Sequence, residues 1–585
     1  MSTKNNLETI RHSLAHVLAT AVLEMFPEAK FGTGPATENG FFYDFDLPRT
    51  LIPEDLPILE EKMREIIKAD YKIEEASAEI KKAEDDFAKA QQPYKVELIN
   101  DLREAGEKKV CLYKINGFVD LCKGPHLDST GKIDPQSFQL SRISGVYWKS
   151  DEKNKQLQRI YGLAFENKNE LKEYLKQMEE AEKRDHRKLG KELDLFCFSD
   201  LVGPGLPLFT PKGTIIIDEL QREVEKICRG YGFQKVKTPC LTKIDLYEIS
   251  GHAQKFSEEL FHVTSRHKQN YVMRPVQCPH QIQIFASKPR SYRDLPIRYM
   301  ESEKQYRAEK PGEISGLSRV IAITVEDGHT FCKVDQVKDE IKNMVNIIRD
   351  FYSSLGMWKN NWISLSVRDY AHPEKYIGET SDWDECEKIL QEVSDEMNLN
   401  AKRCEGEAAL YGPKLDFMFK DALGKEIQIP TVQIDFATPK RFNMVYTDEK
   451  GNKVNPVMVH RAILGSYERF LALLIEHFAG AFPLWLSPIQ VEIIPVSEKF
   501  NDYGNKILEE LKQNNIRAEI DDSDESLGKR IRNAEKQKIP YILVVGEKEE
   551  KSESVAVRSR DSKEQTVLKS PEFIESIRKE IGEKK

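Results

Sequence analysis

The string RHSLAH at residues 11–16 sets His12 and His16 four positions apart, and on a helix that spacing puts both rings on one face. Further along, VDLCKGPH at 119–126 brings Asp120, Cys122 and His126 together. Imidazoles beside a thiol and a carboxylate suit either metal ligation or acid–base work on a water molecule. They equally suit histidines that satisfy a helix face beside a buried cysteine. Cys278, His329 and His460 are far apart in the chain, so no ligand spacing reveals a metal there. Spacing by itself gives a core cysteine and two hydrogen-bonded histidines. Arg307 in YRAEKPGEISGLSRV (306–320) and Arg469 in HRAILGSYERF (460–470) carry guanidinium forks that can grip phosphate bidentately. An isolated arginine on a strand or helix is more often a surface ion pair.

These residues need elements to hold them. GFFYDFDL (40–47) and VCLYKINGFVDLC (110–122) alternate like strands, and PEDLPILEEKMREIIKADYKIEEA (53–76) has helical periodicity. Residues 168–195 form a highly charged stretch without proline, read as a helical connector. GPGLPLFTPKG (203–213) marks a boundary, and the TIIIDELQREVEKICRGYGF that follows is a helix stopping at Gly230 and Gly232. Helices and apolar strands then alternate to about residue 485. Beyond FPLWLSPIQ (482–490), β and α segments alternate in a small α/β domain with a mostly parallel sheet. The expected organisation is an α+β multidomain chain: 1–167, a linker at 168–195, a large unit at 196–488, and 489–585.

Bulk properties limit the function classes. With 585 residues, of which 39% are hydrophobic and 32% charged, the chain is a globular protein with ample core. No apolar run of membrane-spanning length occurs, and the N-terminus lacks the apolar region of a secretory signal, so the expected location is cytoplasmic. Nine cysteines without a regular framework read as thiols or ligands and not as disulfides. A formal charge of −9 argues against a generally basic nucleic-acid coat, but a local basic face is sufficient to bind RNA.

The strings around Arg307 and Arg469 resemble motifs 2 and 3 of class II aminoacyl-tRNA synthetases. Together with RPVQCPH (274–280), EDGHTFC (326–332) and YGPKLDF (411–417), the chain is similar to the threonyl-tRNA synthetase family from about residue 8 onward. The resemblance implies an antiparallel-sheet catalytic core and ATP-dependent ligation of threonine to tRNA(Thr) through threonyl-adenylate. Arg307 would hold the ATP α-phosphate and Arg469 the γ-phosphate, with Mg²⁺ accompanying ATP. Cys278, His329 and His460 match the family's zinc site, implying one Zn²⁺ per chain that meets the amino group and hydroxyl of threonine. Such a site rejects near-isosteric valine because valine leaves polar groups unpaired. Asp327 would accept the hydroxyl proton. Tyr411, Lys414, Gln428, Thr431, Gln433 and Arg319 match positions around the amino acid and ATP. The family's usual strings differ at the missing glycine after Pro279 and at Ile321, Val325 and Pro430. The resemblance leads us to expect that the family's common N-terminal ubiquitin-like domain is missing, and it implies a homodimer with an interface through about 212–240.

Serine also offers a hydroxyl and is one methyl smaller, a difference that gives only about 1–3 kcal/mol of discrimination. The resemblance therefore implies an editing site that hydrolyses seryl-tRNA(Thr). His12, His16, Tyr43, Lys95, Asp120, Cys122 and His126 match it. The similar set binds zinc in alanyl-tRNA editing domains, whereas in bacterial threonyl enzymes the cleft works without metal, and we adopt the metal-free reading. Glu549 and Arg558 match positions that read anticodon bases. Lys529, Arg530, Arg532, Lys536 and Lys538 form a basic cluster, and Asp524 stands where Asn is common. Two alternatives remain: a tRNA-editing hydrolase with an inactive ligase core, and a non-enzymatic RNA-binding regulator.

Overall fold

The computed structural model describes residues 3–584 except 256, 311, 421–423, 425 and 563. The chain divides into two compact units, Met1–Glu179 and Glu180–Lys585.

In the first unit, helix Thr3–Met25 is a core element. Leu14, Ala15, Val17, Leu18, Ala19, Ala21 and Val22 are all fully buried, so apolar residues cover most of its circumference. It lies against strand Gly40–Asp46, which belongs to a five-stranded sheet. A second sheet of three strands contains the hairpin Lys109–Ile115/Phe118–Leu121. The helical reading of 53–76 is corrected at its end: the helix covers Asp55–Lys68, and Ile73–Glu79 is a strand paired antiparallel with 109–115. Asp70 turns the chain between them at φ +50°, a left-handed conformation that ends a helix.

The charged connector is two helices, Lys168–Arg184 and His186–Glu192. The break is capped, because the Asp185 side chain accepts from the Arg187 N–H at 2.8 Å. Helix Pro211–Gly230 follows, buried along Ile216, Leu220, Val224 and Cys228.

An eight-stranded sheet forms the centre of the second unit. Its strands run in the order Gln234–Lys235, Ile297–Tyr306, Ala322–Cys332, Val457–Ala462, Glu426–Asp435, Lys414–Lys420, Asn361–Val367, Lys402–Glu405. Pairing is antiparallel throughout the middle and parallel only at the two outermost pairs. Helix Val337–Ser354 covers one face with Ile341, Met344, Val345, Ile348, Phe351 and Tyr352 at helical spacing. Full burial of each such aliphatic or aromatic side chain contributes about 1.5–3 kcal/mol before entropy is counted. The opposite side of the central strands bears polar residues and builds the site.

The C-terminal segment has a five-stranded sheet ordered Ala518–Ile520, Val491–Pro495, Tyr541–Val545, Ser554–Ser559, Gln565–Lys569. Its first two pairings are parallel and its last two antiparallel, so the mostly parallel expectation is corrected to a mixed sheet. The reason is local: the short helix Glu547–Ser552 and Glu553 at φ +48° reverse the chain where a longer crossover would keep it parallel. Among the described residues no helix is long and apolar enough to cross a membrane.

Candidate active site and editing cleft

Cys278 opens helix Cys278–Ala286, while His329 and His460 lie directly opposite each other on adjacent antiparallel strands. The fold brings the three together, with ligand atoms within 4.8 Å of one another. Each histidine has one nitrogen committed. His329 Nδ1 donates to Gln281 Oε1 at 2.9 Å, and its buried Nε2 has no hydrogen-bond partner. His460 Nε2 is held by Asp435 Oδ2 at 3.0 Å, which leaves Nδ1. An orphaned imidazole nitrogen, a second imidazole fixed by a carboxylate and a buried thiol fit a zinc ion. Without a cation, burial pushes the Cys278 thiol up and holds His329 neutral.

Cys278 and His460 border a cavity of about 810 Å³ that also receives Arg307, Arg319, Asp327, Tyr411, Gln428, Thr431, Gln433 and Arg469, and fully buried His329 lies behind its wall. Arg307 comes just after strand Ile297–Tyr306, and its N–H to Ile321 O (3.0 Å) continues the strand pairing. Arg469 sits in the first turn of helix Tyr467–His477, whose N-cap Ser466 accepts from the Arg469 N–H at 3.3 Å. Burial lowers both guanidinium groups, although both stay cationic. Desolvation raises the Asp327 carboxyl to about 7, opposed by His460. Arg319 is half exposed and bound to Glu309 (2.7 Å) and Glu313 (2.9 Å). Tyr411 stacks on His460 at 5.3 Å and donates to Gln433 Oε1 at 2.8 Å.

The sequence reading missed the hub of this wall. Buried Asp416 accepts from Lys414 (2.6 Å), Gln428 (2.6 Å), Thr431 (2.9 Å) and Ser366 (2.7 Å). Lys414 is thus tied behind the lining residues. The signals were alternation: Lys414 and Asp416 share one strand face, as do Thr431, Gln433 and Asp435. Gln281 lies one helical turn after Cys278.

In the first unit, His12, His16, Cys122 and His126 converge within 4.8 Å. Cys122 Sγ lies 3.2 Å from His12 Nε2 and 3.3 Å from His126 Nε2. Beside them, Asp120 accepts from Tyr43 OH at 2.6 Å, contacts His16 Nε2 at 3.3 Å and pairs with buried Lys95. Burial lowers His12, His16 and His126, the last to about 2, and raises Cys122 to about 11. All seven predicted residues therefore meet in one largely buried cluster, in which imidazoles held down by burial sit beside the Lys95–Asp120 pair.

In the C-terminal sheet, Glu549 caps its own helix by accepting from the Gly546 N–H at 3.0 Å. Arg558 is 3.8 Å from Glu535. Arg530 is removed from the basic cluster: it is buried and donates to the carbonyls of Asp521 (2.7 Å) and Pro495 (2.8 Å). Lys529, Arg532 and Lys536 are exposed.

An antiparallel sheet carrying one arginine at a strand end and another at a helix start, around one cavity, defines a class II aminoacyl-tRNA synthetase. Residues 261–478 match the class II core domain (G, H, P, S and T), 490–580 an anticodon binding domain, and 110–161 the second additional domain of threonyl and alanyl tRNA synthetases. The chain belongs to the threonine–tRNA ligase family. It is 46% identical to the threonine–tRNA ligase of Gloeobacter violaceus over 96% of this chain and 90% of that one. The Porphyromonas gingivalis enzyme is 44% identical over 98% of this chain and 87% of its own length. A solved RNA binding domain of threonyl-tRNA synthetase from Cryptosporidium parvum superposes with TM-score 0.64 at 33% identity, covering 67% of this chain and 97% of that one.

Proposed function

We propose that the chain activates threonine with ATP, transfers it to tRNA(Thr), and hydrolyses seryl-tRNA(Thr) in its N-terminal cleft. The observation that carries the ligase reading is the placement of Arg307 and Arg469 around one cavity that Cys278 and His460 also line, with His329 clustered beside those two. Adenylate formation joins a threonine carboxylate oxygen to the α-phosphorus and releases pyrophosphate. Two anionic groups must approach, and charge builds on the phosphate as they do. Arg307 offsets that charge at the α-phosphate, and Arg469 holds the γ-phosphate of the ATP–Mg²⁺ complex. Cys278, His329 and His460 would hold zinc, which when bound supplies a Lewis acid for the amino group and hydroxyl of threonine. Asp327, which lines the same cavity, accepts the hydroxyl proton in a hydrogen bond. Asp416 keeps the opposite wall fixed by restraining Gln428 and Thr431.

In the N-terminal cleft, the neutral imidazoles orient water toward the ester carbonyl, and Lys95 stabilises the developing oxyanion. In this reading the site works without metal, and the buried Lys95 pairs with Asp120 beside His16. Glu549 and Arg558 contact anticodon bases, and the protein acts as a homodimer in the cytoplasm.

Threonine-dependent ATP–pyrophosphate exchange tests the ligase reading. Arg307→Ala is expected to lower it by about 10²–10³-fold, the usual effect of removing one transition-state donor. Robust tRNA binding and deacylation with no exchange in the unaltered protein would favour the inactive-core alternative.

A further inference from the structure

His186 makes contacts that the reaction described above leaves unexplained. It is 4% exposed, at the start of helix His186–Glu192. Its Nε2 accepts the backbone N–H of Leu317 at 3.1 Å, so the ring proton is on Nδ1, which donates to Glu476 Oε1 at 2.7 Å. One imidazole thus joins three pieces of chain: the connector, the loop between Arg307 and Arg319, and helix Tyr467–His477, which carries Arg469 in its first turn. The loop is shaped to receive the ring. Gly316 has φ +48°, and a Cβ there would stand 2.3 Å from His186 Nε2. Leu317 next to it is fully buried. Arg184 adds a bond to the carbonyl of His477 at 3.3 Å.

Asp185, His186 and Glu476 also lie within metal-ligand reach of one another. Their atoms are already engaged, however: Arg187 binds both oxygens of Asp185, and both ring nitrogens of His186 are used. The cluster is a mechanical joint and not an ion site.

We propose that His186 is a positioning residue for ATP, holding the Arg307–Arg319 loop and the Arg469 helix at the separation the triphosphate requires. This rests on reading Arg307 and Arg469 as phosphate ligands. Small displacements of a clamp are costly for nucleotide binding and leave the amino-acid end of the cavity intact.

The test is steady-state exchange kinetics on the full chain. For His186→Ala we expect KM for ATP to rise about tenfold, with KM for threonine and seryl-tRNA hydrolysis within about twofold. Glu476→Gln keeps an oxygen to accept Nδ1–H and should stay within about twofold of the unaltered protein, whereas Glu476→Ala should match His186→Ala. The double alanine variant should be no worse than either single one, because both remove the same joint. Gly316→Ala keeps His186 but sets a Cβ 2.3 Å from its Nε2, forcing ring and loop apart, and should also raise KM for ATP. An unchanged KM for ATP in His186→Ala, multiplying effects in the double variant, or Glu476→Gln as impaired as Glu476→Ala would each overturn the proposal. Arg307→Ala separates the two readings: if it retains exchange, the phosphate assignment itself is wrong. If it loses exchange while His186→Ala keeps its ATP KM, only the joint is wrong.

Discussion

His126 in the N-terminal cleft is driven down to about 2 by burial, with His16 and His12 adding to it. The unfolded value is about 6.5, so between the two the unfolded chain binds the extra proton. Stability from this group is complete above pH ~6.5 and is lost as the pH falls toward the folded value, by at most about 1.4 kcal/mol per pH unit. Amide protection factors in residues 3–25 and 110–126, taken relative to intrinsic exchange at each pH, should therefore fall between pH 7 and 5, and His126→Gln should flatten the dependence. In the synthetic site, metal analysis of purified protein should give one zinc per chain, falling toward zero in Cys278→Ala. Two zincs per chain would place a second in the cleft of His12, His16, Cys122 and His126. At this scale flanking strings singled out Arg307 and Arg469, and the fold sets both on one cavity. Asp416 was hidden because nothing local distinguishes it from any strand aspartate. Its role exists only once cross-strand register, including the irregularity between Asp416 and Met418, sets Thr431 opposite it.

Elements were legible where one periodicity dominated. The helix after residue 210 was placed from its apolar spacing, and it runs Pro211–Gly230 with Thr210 as its cap. The errors fell where two patterns touched. IEEASAE continues the charge-rich look of the helix before it, and only its partner strand reveals it as β. The sheet at the C-terminus was misjudged because a six-residue helix is too short to serve as a parallel crossover. A cap makes an element-level prediction: Ser466→Ala removes the side-chain acceptor at the start of the helix bearing Arg469. The expected cost is about 1 kcal/mol in chemical denaturation, with a raised KM for ATP because the arginine rides on that first turn.

Across the second unit, the C-terminal segment is fastened to helix Pro211–Gly230 by charge. Arg517 binds Glu219 at 2.8 Å, and Lys584 pairs with Glu223 while lying 4.3 Å above the Trp485 ring. Lys212 reaches Gln537 at 3.0 Å. Glu219 and Glu223 are one helical turn apart, so a single face takes both contacts. Glu219→Ala combined with Glu223→Ala should loosen this attachment, read as faster hydrogen exchange in 484–490 with the eight-stranded sheet unchanged. Sedimentation of the full chain should give twice the monomer mass of 67.5 kDa if 212–240 forms the proposed interface. None of these long-distance pairings was visible in the sequence, since the contacts to helix Pro211–Gly230 each join residues about 300 or more positions apart.

His329 and His460 face each other across a strand pair, and if the proposed zinc is bound there, that placement would link metal loading to how the chain assembles. Sliding either strand by a single residue would turn one imidazole to the far side of the sheet and break up the donor set. An ion that binds only the correct alignment penalises every misaligned one by its whole binding energy. Zinc in this protein would then be a proofreader of its own scaffold: protein refolded without it should be slower to reach, and quicker to leave, the native pairing at 328–332 and 457–461.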